Sequence, residues 1–122
     1  MSFDEAWRRA ALHLEAALAH AGGTHALSDV AAMVARGEAQ FWAAPRSAMV
    51  TVVQEDPRER RLLIWLAGGE LAELVRQLLP EAESYARANG CRRLMVIGRA
   101  GWERALKPEG FAPVARLIAK DL

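Results

Sequence analysis

The stretch "RRLLIWLAGGELAELVRQLLPEAESYARANGCRRLMVIG", Arg60 to Gly98, decides the fold. It opens on an apolar run in which Leu62, Ile64 and Leu66 share one face of a strand and Leu63 and Trp65 the other. A strand apolar on both faces belongs inside a sheet, with helices over both surfaces. Gly68-Gly69 breaks the run. Leu71, Leu74, Val75, Leu78, Ala82 and Ala86 then recur at helical spacing. Pro80 removes one backbone bond, so a kink or restart is expected there. Asn89-Gly90 ends the helix, and "CRRLMVIG" follows as a second strand. A strand, helix, strand order with a crossover of roughly 20 residues predicts a parallel pair.

Upstream, residues 4–21 read as an amphipathic helix with Trp7, Ala11, Leu14, Leu18 and Ala21 on one stripe. Asp4 and Glu5 sit in its first turn, where the helix dipole favours anions. "SDVAAMVARG" predicts a second helix with Ser28 as N-cap and Gly37 just past its end. "AQFWAA", "SAMVTVVQ" and "RRLLIWLA" then predict three strands, with Pro45-Arg46 and Asp56-Pro57-Arg58 as turns between them. Downstream, "GRAGWERALKPEGF" carries a tight turn and a short helix over about 100–107. "FAPVARLIAKDL" reads as a last extended segment, an edge strand or bulge because of Pro113. Pro113, Arg116 and Lys120 there are residues that protect a free edge, and a homodimer through that edge is one arrangement it allows. The expected class is α/β, a mixed sheet with helices on both faces, in the order α-α-β-β-β-α-β-α-β.

The 122 residues fit one domain. Sixteen basic residues against 15 acidic give a net charge of +1, which argues against a non-specific nucleic-acid binder. The single cysteine, Cys91, permits no internal disulfide and reads as a small buried residue at a strand start. "MSFDEAWRR" is acidic where a signal peptide is basic, and no apolar run approaches the ~18 residues of a membrane span, so a cytoplasmic protein is expected. His13 and His20 lie seven residues apart, about 10.5 Å along a helix and too far to share an ion, so no metal site is expected.

The order of elements, together with "YARANGCRRLMVIGRAGWERALKPEGF", resembles the GCN5-related N-acetyltransferases, the GNAT superfamily, and within it the small phage- and prophage-type GNAT-like proteins. Gly90-Cys91, Gly98-Arg99-Ala100-Gly101-Trp102, Leu106 and Gly110-Phe111 carry the resemblance. It covers roughly residues 24–122, and residues 1–23 are the least family-like part of a single domain over 1–122. The resemblance implies acetyl-CoA held where two central strands splay apart, with its pantetheine arm along one strand and its pyrophosphate on amides at the following helix N-terminus. Mapped onto this chain, Leu66 and Ala67 meet the pantetheine, Gly68, Gly69, Glu70 and Leu71 meet the pyrophosphate, and Arg99 with Trp102 forms the far wall. Gly68 and Gly69 would let a phosphate approach the backbone.

The chain departs from the family pattern at two places. Its loop is "AGGELAEL" rather than Arg/Gln-x-x-Gly-x-Gly/Ala, and Glu70 and Glu73 occupy the first turn, where carboxylates compete with a pyrophosphate. No tyrosine follows the second strand of the pair. Tyr85 precedes it, and Trp102 stands nearer the family's acid position with an indole N–H that donates but does not titrate. Glu103, Glu55 or a water serve equally as candidate base. Arg99 fits a phosphate or acidic acceptor and, equally, a structural bond to carbonyls or a carboxylate. Trp102 fits packing of its short helix better than a ligand platform. Trp42 and Trp65 lie on the meander where the family receives its acceptor, with core packing the stronger reading for Trp65. Two functions are therefore expected. One is an N-acetyltransferase acting on an unknown amine with acetyl-CoA. The other is an inactive GNAT-fold phage or prophage protein that binds a protein partner in assembly or host interaction.

Overall fold

A computed structural model describes residues 2–98 and 100–122. Helix α1 (Phe3–His20) is capped by Ser2, whose hydroxyl accepts the Glu5 N–H at 3.2 Å, and it buries Ala10, Leu14 and Leu18. Helix α2 (Leu27–Ala35) starts two residues earlier than expected, with Ala26 and not Ser28 as its N-cap. The reason is Asp29, whose carboxylate accepts the Ala26 N–H at 2.8 Å and so fixes the start from inside the first turn.

Four strands form one mixed sheet in the order β1 (Gln40–Ala44), β2 (Ser47–Glu55), β3 (Arg60–Gly69), β4 (Arg93–Val96). The first three run antiparallel, and β3 pairs parallel with β4. Strand β3 runs further than the apolar run alone indicates. Gly68 pairs with Ala48 and Gly69 with Ser47, so both glycines belong to the strand and not to a loop.

The expected single face for Leu62, Ile64 and Leu66 is corrected by a bulge. Val50 pairs with Leu66 and Thr51 with Ile64, which leaves Trp65 as an extra residue. Alternation resets at a bulge. Leu62, Ile64 and Ala67 therefore face the cluster built with Leu74, Leu78, Leu79, Ala82, Ala86 and Leu106, while Leu66 and Trp65 face Leu14, Leu18 and Val30. Helices α1 and α2 thus cover one face of the sheet.

The other face is covered by a continuous helical stretch: α3 (Leu71–Glu73), a π-helical turn (Leu74–Leu78) and α4 (Leu79–Ala88). The π turn precedes Pro80, whose ring would collide with the carbonyl four residues back in a regular α-helix. Leu79 N–H reaches Leu74 O, and the chain passes Pro80 without breaking. Leu71, at the first position of this stretch, is 42% exposed and stands off the buried stripe. Gly90, at φ +71°, closes α4 with Cys91 N–H bonded to Ala86 O at 2.8 Å. Helix α5 (Ala100–Leu106) and a 3₁₀ turn (Lys107–Glu109) follow β4, and Phe111 N–H returns to Leu106 O.

The expected last strand is not formed. Residues 112–122 are exposed throughout and belong to no helix or strand. Pro113 lacks a ladder donor, and Arg116 and Lys120 resist burial against the chain's own sheet. No helix among the described residues is long and apolar enough to cross a membrane.

Candidate acyl-donor cleft

Strands β3 and β4 pair only from Arg61↔Arg93 to Ile64↔Val96. Beyond that rung β4 has ended, and β3 continues from Trp65 to Gly69 without a neighbour on that side. The strands part at the bulge. Met49, Ile64 and Ala67 floor the gap; Leu74, Val75 and Leu79 wall it on one side and Val96, Trp102 and Leu106 on the other. Every lining side chain is apolar. The free space is about 10 Å³, room for about one water. Trp102 accounts for the narrowness. Its indole lies against Gly98 so closely that a Cβ there would stand 3.2 Å from Cδ1 and Cγ.

The structure separates the residues that the sequence grouped. Ala67 and Trp102 line the gap. Leu66 is 1% exposed and its side chain points to the opposite face, so it is no side-chain contact of this cleft. Arg99 lies outside the described residues. Leu71 is exposed beside the helix start. At Gly68 a Cβ would overlap the His13 carbonyl oxygen of α1. At Gly69, with φ +103°, it would overlap Arg46 O and stand 2.6 Å from Ser47 Cα. The space both glycines leave is filled by the chain itself. Glu70 N–H is likewise spent, on Arg46 O at 2.9 Å.

Sequence reasoning missed the group that holds this corner together. Glu73 is 1% exposed, and its carboxylate accepts from Arg46 N–H at 2.9 Å and from the Ser47 hydroxyl. The Ser47 bond, chiefly, holds its carboxyl below the usual carboxylate range; burial opposes it, and Arg46 N–H and the charges of Arg46 and Arg76 assist. Arg46 Nε also pairs with Glu70 at 2.9 Å and approaches Glu73 at 3.8 Å. The two carboxylates of the first turn are thus engaged by the β1–β2 turn and do not face an incoming anion unpaired. Pro45-Arg46 gave only turn chemistry in the sequence; nothing local marks a contact across 27 residues.

Other candidates are resolved by position. Glu55 pairs with Arg60 at the start of β3, the end remote from the gap, which removes it as a base. Glu103 stays exposed on α5. Tyr85 meets Trp42 edge-on at 5.5 Å, while Trp42 Nε1 donates to Thr51 Oγ1 at 2.9 Å, so both are committed to packing β1 against α4. Trp65 meets His25 at 4.8 Å on the α1–α2 face. Cys91 is half-buried, and burial pushes its thiol up against the opposing pull of Arg60. No group of three metal-ligating side chains occurs among the described residues.

No family model and no curated protein matches the sequence. Solved structures do match. The Thermus thermophilus protein TTHA1254 superposes with a TM-score of 0.68 at 18% identity, over 99% of this chain and 93% of that one. An acetyltransferase of Trypanosoma brucei gives 0.64 at 16%, over 94% of each chain. The chain shares the fold of these structures. A further structure, a probable acetyltransferase, gives 0.64 at 14% identity over 100% of this chain and 93% of its own.

Proposed function

We propose that this chain is an acyl-CoA-dependent N-acetyltransferase of the GNAT type, one domain over residues 1–122, acting on an amine with acetyl-CoA as cosubstrate. One observation carries the reading: the parallel pair parts at a bulge, over an apolar gap that ends beside a helix N-terminus, in a fold shared with acetyltransferases. The parted length of β3 offers backbone groups with no strand partner on that side, suited to an extended pantetheine amide chain. The first-turn amides at Leu71 to Glu73 lack intrahelical acceptors and suit a pyrophosphate, the Arg46 pairing having offset the charge of Glu70 and Glu73. Ala67 and Trp102 bound the thioester end, and Arg99 is the candidate for the phosphate or the acceptor.

The reaction on this reading is direct transfer. The free amine attacks the thioester carbonyl carbon, the C–S bond breaks, and the CoA thiolate leaves. The amine loses a proton to Glu103 or water, and the thiolate takes one from solvent. Alignment of the two reactants supplies most of the rate, so the lack of a titrating acid beside the gap lowers the rate without blocking the step.

The narrow gap favours a second reading. With room for about one water, Trp102 must move before an acyl arm enters; an inactive GNAT-fold scaffold would leave it where it is. Such a protein would act through a protein partner, in the phage or prophage setting that the sequence resemblance suggests. Calorimetric titration with acetyl-CoA, repeated on Arg99→Ala, separates the two. Micromolar binding weakened by the substitution supports the transferase. No heat at millimolar acetyl-CoA removes it and leaves the scaffold.

A further inference from the structure

Strand β1 is one edge of the sheet, and its outer side has no partner strand among the described residues. Natural edges are commonly blunted by charge, proline or shortness. The opposite edge follows that rule: β4 is four residues long and opens on Arg93, which pairs with Glu59 at 3.1 Å. Strand β1 does not. Its stretch "QFWAA" holds no charge and no proline.

Aromatic side chains stand on both faces of this bare edge. On the α1 face Phe41 meets Trp7 at 5.1 Å and Phe3 at 5.6 Å, and Phe3 is 52% exposed. On the α4 face Trp42 meets Tyr85, and both rings are half-buried. Ala43 shares the Phe41 face by strand alternation and is exposed. The edge thus presents unpaired backbone groups between two half-covered aromatic clusters, with a notch at Ala43.

We infer that β1 pairs antiparallel with β1 of a second copy, about a two-fold axis through Trp42, so that the protein is a homodimer whose two sheets join into one. A second copy is the occupant because the strand complements itself about that axis. Trp42 is the middle residue of Gln40–Ala44. Centring the pair there sets Phe41 against Ala43 of the second copy, a ring over a notch, and Gln40 against Ala44. Opposite side chains in such a pair stand about 4.5–5.5 Å apart, within contact. Just beyond the strand ends, the same register brings Glu38 towards Arg46 of the second copy. Glu38 pairs with Arg36 and Arg46 with Glu70 in their own chain, yet their side chains remain 51% and 67% exposed, open to a second opposite charge. Each of these matches occurs twice, as a self-complementary two-fold contact requires. The cleft lies between β3 and β4, away from this edge, so both clefts stay open in the dimer. This inference does not rest on the acetyltransferase reading.

The test is sedimentation equilibrium of the full chain, with hydrogen exchange followed in parallel, on the natural protein and on Ala43→Lys. The position is exposed, so the variant folds; its circular dichroism melting curve checks that. The lysine puts a charge against Phe41 of the second copy, twice per dimer. The expected result is a dimer in which the amides of residues 40–44 that face away from β2 are protected. In the variant the dissociation constant should rise about 100-fold, with that protection lost. A natural protein that stays monomeric at 100-fold above micromolar concentration, on the order of 0.1 mM, overturns the inference. A dimer indifferent to Ala43→Lys overturns it, and so does a dimer that leaves the outward amides of 40–44 unprotected.

Discussion

Replacing Gly69 with alanine tests what the two glycines at the end of β3 are for. The residue sits at φ +103°, where an L side chain costs about 1–3 kcal/mol. Its Cβ would also overlap Arg46 O and stand 2.6 Å from Ser47 Cα, backbone atoms that cannot rotate away. Overpacking of that kind costs about 1–3 kcal/mol more. The sum, about 2–6 kcal/mol, is a large share of the 5–15 kcal/mol by which domains are commonly stable. Gly90→Ala is the control: φ is +71° and nothing lies within 4 Å of the added Cβ, so about 1–2 kcal/mol is expected. Gly68→Ala falls between, with no strained φ but an overlap with the His13 carbonyl. Urea unfolding followed by tryptophan fluorescence, without ligand, measures all three. If the glycines serve the packing of α1 and the β1–β2 turn, the order of loss is Gly69, Gly68, Gly90. A Gly69→Ala protein with the natural urea midpoint would refute the argument and return the glycine to ligand binding alone.

Glu73→Gln removes the carboxylate that clamps the β1–β2 turn. Its folded pKa is depressed, so its contribution is present above about pH 4.3 and is lost as pH falls through that value and below; acid unfolding curves of the Gln variant should be flatter there, and identical slopes would exclude the clamp. Leu106→Ala, at a side chain 4% exposed beside the narrow gap, should lower stability by about 2–5 kcal/mol in the same urea assay. Cys91, with its thiol pushed up by burial, should react with a disulfide reagent at pH 7 more slowly than a free cysteine, and faster as pH rises past 9.

Much of the architecture was legible because its signals are local. Leu14 and Leu18, or Ala82 and Ala86, announce a buried helix face by spacing alone, and the crossover between two apolar runs fixes a parallel pair. What escaped was set by partners far along the chain. Leu66 was placed on the wrong face because a bulge is defined by the register of β2, which Leu62 to Ala67 do not encode. The cap sits at Ala26 and not at Ser28 because the Asp29 carboxylate, three residues on from Ala26, accepts the Ala26 N–H. Arg46, Ser47 and Glu73 were invisible as a group, since only the folded sheet brings the turn under the helix. Residues 111–122 have the composition of an edge strand yet find no edge in their own chain. At the cleft, the place was legible from the strand-to-helix junction, but its narrowness depends on where Trp102 lies, and that is decided by Gly98.

The bulge at Trp65 has a consequence for how this strand tolerates change over generations. Positions before it and positions after it obey opposite inside–outside rules, so the strand evolves as two short halves joined at one residue. Loss of that single residue would remove the bulge and leave Ile64, Leu66 and Ala67 on their present faces, because Val50 and Thr51 already pair with Leu66 and Ile64. The bulge is thus the place where this strand can lose a residue without exchanging its inner and outer side chains.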